Sequence, residues 1–341
     1  MGRKFRNDYS ELAHPRVMEA LTKHCLDQNV AYGLDAHSEH AAKLIREVFG
    51  APNASVFFLA GGTQTNATFI SKALRPYEAV IAASSGHINV HETGAVEATG
   101  HKIIVVPGKD GKVLPKEVEK ALAAHADEHM VKPAMVYISD STEIGTIYTK
   151  DELSALYACC KQHGLYLFVD GARLGSALTS SENDIDPSEM GRLCDAFYAG
   201  GTKNGLLFGE ALVVNHPHLA ADFRYHIKNQ GAMLAKGYAL GIQFETVFKD
   251  GLYFELARHA NEMATLLKEG LARLKVEMLP SPTNQIFATF PKAKAKAIIE
   301  ELGCEKWSEA GNDMTIRFVT SFATSKTDVK EALTFLEALL K

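Results

Sequence analysis

The chain has 341 residues, with 36 Lys and Arg against 41 Asp and Glu, for a net charge of −5. Hydrophobic residues make up 46% and charged residues 23%, the balance of an ordinary globular protein with room for one large domain or two unequal ones. No basic block points to nucleic acid or a membrane surface, no apolar run approaches a membrane span, and the polar start MGRKFRNDYS lacks the apolar core of a secretory leader.

In chain order, Pro15 suits a helix start, with Val17, Met18 and Leu21 on one face. AYGLDAHSEHAAKLIREVFG reads as a loop and an amphipathic helix with Ala42, Ile45 and Phe49 inward. SVFFLAGGTQTNATFISKAL reads as a short buried strand, a Gly-Gly turn and a helix. Apolar runs then recur at Ala79–Ala82, Lys102–Val106, Ala134–Ile138, Tyr166–Val169, Ala196–Tyr198 and Ala211–Val214. Helical patterns separate most of them, including Pro115–His125 and Lys150–His163. This rhythm predicts an α/β fold, a largely parallel sheet with helices on both faces. Gly237 to Leu274 reads as one helix-rich stretch. Beyond it, strands at Val276–Leu279, Gln285–Phe290 and Thr315–Thr320 alternate with helices at Lys292–Leu302 and Thr327–Leu340, predicting a smaller C-terminal α+β domain. We expect a large domain over 1–248 and a small one over 249–341, with the N-terminal segment free to pack on the latter. The five cysteines form no CxxC pair and read as reduced thiols of a cytoplasmic enzyme.

The stretch from Tyr166 to Gly205 carries the chemistry. Asp170 and Lys203 each follow the carboxyl end of a predicted strand, the edge where open α/β sheets bind ligands. A lysine and an acid so placed suit pyridoxal phosphate (PLP). The lysine forms its Schiff base, and the carboxylate keeps the pyridine nitrogen protonated. Desolvation and a nearby cation would make that amine nucleophilic. Gly200 and Gly201 allow close backbone approach, and the Thr202 hydroxyl suits a phosphate oxygen. The bland alternative is a helix-capping Asp170 and a solvated Lys203.

Gly61 to Asn66, GGTQTN, opens a helix after a strand. With Gly62 and Thr63 it makes an anion site for the cofactor phosphate, or else a turn with a threonine cap. His87 begins the next helical segment and can stack on the ring or move a proton near pH 7. His91, four residues on, offers a metal-binding alternative, but the order HxxxHE lacks a third ligand, so no metal is expected. Arg173 stands three residues past Asp170, and either reaches a cofactor phenolate or a substrate carboxylate or is an ordinary arginine on a helix surface. Arg317 lies in the apolar strand MTIRFVTSF, and either points to solvent by alternation or points inward and needs an anion.

VDGAR, the Lys203 turn, GGTQTN, SSGH…HETGA and RFVTSFATS together resemble the PLP-dependent threonine aldolases, which belong with the β-eliminating lyases and aminotransferases of fold type I. The resemblance runs from FRNDYS to RFVTS. It implies that Lys203 is the Schiff-base lysine, Asp170 the pyridine partner and His87 the stacking ring, and that Gly62, Thr63 and Thr202 hold the phosphate. It implies Arg173 and Arg317 for the phenolate and substrate carboxylate. Asn7 stands beside Asp8 where many members have serine, and is the substrate-side residue there. Tyr32 and Lys228 match residues used near a neighbour's cofactor, implying a homodimer or homotetramer with shared sites. Glu143, in DSTE, stands where the family often has a histidine near the substrate hydroxyl. Glu143 is thus a candidate base, alongside His87 or a held water, or else caps a turn or binds an interface arginine. The expected activity is cleavage of a β-hydroxy-α-amino acid of the threonine or allo-threonine type to glycine and an aldehyde. β-Elimination or amino transfer on the same scaffold, and a non-catalytic binding protein, are the rivals.

Overall fold

A computed structural model describes residues 4–341. Its first sheet has seven strands: β1 (Ser55–Leu59), β2 (Glu78–Ala83), β3 (Ile103–Val106), β4 (Lys132–Ser139), β5 (Tyr166–Asp170), β6 (Ala196–Gly200) and β7 (Glu210–Val214). Their spatial order is β1-β7-β6-β5-β4-β2-β3, and only β7 runs against its neighbours. The predicted largely parallel α/β sheet is therefore present. Side chains alternate between two buried faces. On β2, Ala79, Ile81 and Ala83 enter one core while Val80 and Ala82 enter the other. Burial on both sides explains why these strands read as continuous apolar runs.

The second sheet is antiparallel, in the order β10-β11-β9-β8, from β8 (Glu277–Met278), β9 (Gln285–Pro291), β10 (Glu305–Ala310) and β11 (Asp313–Val319). It shares a third core with helices Leu252–Arg273, Lys292–Leu302 and Lys326–Leu340. Strand β10 leaves no apolar signal in the sequence, because EKWSEA has polar residues on both faces and is mostly exposed. The long helical stretch is two helices, Tyr238–Lys249 and Leu252–Arg273. Gly251 divides them at φ 75°, in the left-handed region that glycine adopts without steric cost.

The amino-terminal segment crosses to the second sheet. Phe5 is buried against Phe318, donates its N–H to the Leu302 carbonyl, and accepts from the Val319 N–H. Five strands of the first sheet, β1, β2, β4, β5 and β6, deliver expected site residues just past their carboxyl ends. Gly171 and Gly200 let two of those ends approach. A Cβ on Gly171 would collide with the Tyr198 carbonyl, and one on Gly200 with the Ala172 carbonyl. The glycines before Lys203 thus serve chain packing directly: Gly201 is likewise closed in by Leu206 and Gly209.

Candidate active site

A cavity of about 310 Å³ opens at this edge. Gly62, Thr63, His87, Glu143, Asp170, Arg173, Thr202 and Lys203 all line it. Nearly every residue expected to touch the cofactor is therefore brought together.

Asp170 ends β5 and is 3% exposed. Its Oδ2 accepts from Tyr137 Oη at 2.5 Å and Asn66 Nδ2 at 3.0 Å, and its Oδ1 accepts from the Ala172 N–H at 3.0 Å. Burial alone would raise its pKa. The His87 charge and the hydrogen bonds from Tyr137, Tyr198 and Asn66 outweigh that, leaving it below the ordinary aspartate value. Asp170 is an ionised buried carboxylate, as a partner of a protonated ring nitrogen must be.

Lys203 follows the close-packed turn after β6. Desolvation, then the Arg173 guanidinium, lower its pKa, against the pull of Asp8, Asp170 and Glu210. Its Nζ lies 6.0 Å from the Tyr9 ring centroid. Beside it, Glu210 is pushed up to about 8 by burial and accepts from the Gly201 N–H at 3.1 Å. The Thr202 hydroxyl is already engaged, accepting from the Gly209 N–H at 2.9 Å and bonding to Glu210.

Arg173 is clasped by Asp8, with Nε to Oδ2 at 2.7 Å and the second nitrogen to Oδ1 at 3.0 Å. Asn284 Nδ2 also donates to Asp8 Oδ2, at 2.9 Å. Burial would raise the pKa of Asp8, but Arg173 and Lys203 hold it below the ordinary value. The charge of Arg173 is thus largely balanced from within the chain. Asn7 lines no part of the cavity. Its Oδ1 accepts from the Tyr9 N–H and Ser10 Oγ, a local turn, and the neighbouring Asp8 reaches inward instead.

Glu143 sits in the loop after β4. Its Oε1 accepts from Ser139 Oγ at 2.7 Å and the His87 N–H at 3.0 Å. Burial and the nearby Asp170 raise its pKa, although Ser139 opposes them. His87 Nδ1 contacts Glu92 Oε1 at 2.7 Å, and Asn66 donates to the same oxygen at 2.8 Å. Glu92 and Asp170 are thereby bridged through Asn66. His91 is adjacent, with ring centroids 5.4 Å apart, but the group placed to share an ion with His87 is Glu92 and Asp170.

A second hollow of about 320 Å³ adjoins the first through Tyr9, His87, Glu143, Arg173 and Lys203, and adds His91, Gln285, Glu305, Trp307 and Arg317. Arg317 points inward. It donates to Glu305 Oε2 at 2.6 Å, lies 5.8 Å from the Trp307 ring, and leaves its buried Nε without a partner. Tyr32 and Lys228 lie elsewhere. Lys228 Nζ stands 4.9 Å from the Tyr32 ring, and both line a separate open hollow with Arg224, Tyr225 and Met233.

The sequence model of the beta-eliminating lyase family matches residues 5–293. A low specificity L-threonine aldolase from Pseudomonas sp. (strain NCIMB 10558) is 31% identical over 98% of this chain and 96% of its own. The chain belongs to the beta-eliminating lyase family, in its threonine aldolase branch. The Escherichia coli (strain K12) low specificity L-threonine aldolase is 22% identical, covering 84% of each chain. The solved structure of Leishmania major threonine aldolase superposes with a TM-score of 0.98, 44% identity and full coverage of both chains. The Thermus thermophilus aspartate aminotransferase, at 16% identity and a TM-score of 0.72, shares the fold.

The site of this family member fits PLP. Helix Gly62–Ala73 begins at the cavity wall, and its cap residue, Gly61, makes no side-chain capping bond. Its first N–H groups are available to an anion, as a phosphate requires. The threonine-cap alternative for GGTQTN does not hold. Asp170 is ionised, and Lys203 has a depressed pKa. Several of the residues shaping this site were not expected: Asp8, Tyr137, Tyr198, Asn66, Glu92 and Glu210. Asn66 and Glu92 fall inside the motifs GGTQTN and HETGA. Tyr137 and Tyr198 stand just inside the ends of β4 and β6, where a buried phenol needs a partner.

Proposed function

We propose that this chain is a PLP-dependent carbon–carbon lyase that cleaves β-hydroxy-α-amino acids of the threonine type into glycine and an aldehyde. The observation that carries the reading is the meeting of an ionised, buried Asp170 and a pKa-depressed Lys203 in one cavity of a threonine aldolase relative.

Lys203 would hold the cofactor aldehyde, Asp170 its ring nitrogen, and the uncapped helix start with Gly62 and Thr63 its phosphate, joined by Thr202 once its hydroxyl turns from Glu210. His87 would lie against the ring, its Nδ1 fixed by Glu92. Arg173, braced by Asp8, would face the phenolate. When bound, the cofactor accepts the electron pair released as the Cα–Cβ bond breaks. The unpartnered Nε of Arg317 supports its role as the substrate carboxylate anchor, with Glu305 holding the guanidinium between turnovers. Glu143 takes the β-hydroxyl proton. Burial raises its pKa, which makes it a stronger base than a solvated carboxylate. Ser139 and the His87 N–H orient the carboxylate through a single oxygen.

Tyr32 and Lys228 would serve the site of a second copy, in a homodimer or homotetramer. Their pairing on an open surface apart from the Lys203 cavity supports this. We place the domain division at 248/249, near the break at Gly251. Among the described residues, no helix is long and apolar enough to cross a membrane. A cytoplasmic location is part of the same reading.

The test is a product assay with L-threonine, L-allo-threonine and their D-isomers, using protein loaded with PLP. Glycine and acetaldehyde in equal amounts are expected. Ammonia with a keto acid, and no glycine, would overturn the assignment in favour of elimination or transfer.

A further inference from the structure

Three histidines and two carboxylates meet where three helices of the large sheet's outer layer converge, apart from the Lys203 cavity. His24 ends helix Pro15–Lys23, and Asp27 lies in the turn that follows. His37 and His40 stand three residues apart on helix Ala36–Val48, and Glu245 faces them from helix Tyr238–Lys249. His37 Nδ1 lies 2.5 Å from Glu245 Oε2, and His40 Nδ1 lies 2.7 Å from Oε1. The His24 and His37 rings meet edge to face, with centroids 4.6 Å apart.

The carboxylate decides the tautomers. An ionised glutamate only accepts, so His37 donates from Nδ1, and Nε2 is the nitrogen left to ligate an ion. A histidine whose Nδ1–H is held by a carboxylate is the usual arrangement around a bound metal, where the partner fixes the ring and raises its basicity. His24 Nδ1 similarly contacts Asp27 Oδ2 at 2.7 Å. One ligand atom each from His24, Asp27 and His37 lies within 4.8 Å of the others. A tetrahedral Zn²⁺ site needs roughly 3.3 Å between ligands, from bonds of about 2.0–2.1 Å. Closing that difference falls to Asp27, whose side chain is 52% exposed on a turn, and to the His24 ring at the helix end.

We propose that His24, Asp27 and His37 form a divalent transition-metal site, best matched to Zn²⁺, with Glu245 as the carboxylate that orients His37. Two imidazoles and one carboxylate are a common zinc donor set, with the fourth position left to water. Asp27 exchanges its hydrogen bond to His24 for the ion. The metal ties helix Pro15–Lys23 to helix Ala36–Val48 and, through Glu245, to helix Tyr238–Lys249. No catalytic step is assigned to it.

The probe is Zn²⁺ itself, titrated into chelator-stripped holoenzyme with PLP in place, in competition with a chromophoric chelator. PLP occupancy keeps His87, Glu92 and Asp170 from reporting in its stead. The expected result is one tight equivalent per chain in the wild type, lost in His24→Gln and in His37→Gln. Glu245→Gln should weaken binding by roughly 10–100-fold. Thermal melts with and without Zn²⁺ give a second readout: a rise in Tm for wild type, absent in His24→Gln. His24 is half-buried and lies apart from the Lys203 cavity, and unaltered turnover will show that this variant folds. Binding in His24→Gln and His37→Gln equal to wild type, or no competition with the chelator, would overturn the site.

Discussion

Replacing Asp8 by asparagine removes one charge from a buried pair and leaves the other in place. Asp8 Oδ2 receives both Arg173 Nε and Asn284 Nδ2, while Oδ1 receives the second guanidinium nitrogen. An asparagine oxygen at the Oδ2 position keeps the first two bonds. Its NH₂ then faces a guanidinium N–H, donor against donor. Breaking a buried ion pair from one side costs about 3–5 kcal/mol. The retained acceptor puts Asp8→Asn at the lower end, about 3 kcal/mol, a large share of a typical folding free energy. With an m-value of about 3 kcal/mol/M, the urea midpoint should fall by roughly 1 M, followed by circular dichroism at saturating PLP. The sign with pH follows from the depressed pKa of Asp8. Its stabilisation is present above the unfolded value near 3.8 and is lost as pH falls through the lower folded value, so wild type and variant should converge in acid. The double variant Asp8→Asn/Arg173→Met should cost less than the two singles added together. A midpoint shift under about 0.3 M, the worth of a surface ion pair, would refute the claim that this pair is desolvated.

Lys203→Ala should abolish both turnover and the borohydride-trapped cofactor adduct; a surviving lysine adduct by mass spectrometry would move the role elsewhere. Glu143→Gln should slow cleavage by roughly 10²–10⁴-fold while sparing PLP binding and glycine α-proton exchange, which needs no hydroxyl. If both reactions fall together, Glu143 does not act at the hydroxyl. Burial lifts Asp140 to about 7, so its ionisation should erode stability as pH rises from about 3.8 to 7. Asp140→Asn should remove that slope, gaining relative to wild type by at most about 4 kcal/mol at pH 8, measured by urea unfolding across the pH range.

The sheet and its lysine and aspartate were legible because both signals are local. A run such as YLFVD is apolar through four positions and then acidic, and β5 ends at that acid. The inward course of Arg317 was not legible, because alternation in MTIRFVTSF allows either face. The pairing with β9 and β10, together with Glu305 and Trp307, decides it. Asp8 was hidden for another reason. It lies 165 residues from Arg173 in sequence, in a segment with no secondary structure to give its side chain a direction. Glu210 begins a buried strand, where an acid reads as an exposed end; its partners, Gly201 and Thr202, come from the preceding turn. Glycine before the lysine was read as room for a ligand, yet the room is taken by the protein's own backbone.

The path of the amino-terminal segment sets an order of events during synthesis. Phe5 is made more than 300 residues before its partners: its carbonyl is held by Val319 and its ring by Phe318. Asp8 likewise waits for Asn284, 276 residues later. While the sheet that carries Lys203 emerges, Arg173 has no fixed counter-ion and the wall formed by Tyr9 is unanchored. The pocket therefore cannot mature strand by strand. Its walls are complete only once β9 and β11 have been made and can hold that segment. A ribosome stalled after β7 would expose a finished sheet with an open, charge-unbalanced pocket, the form on which a chaperone or a protease would act.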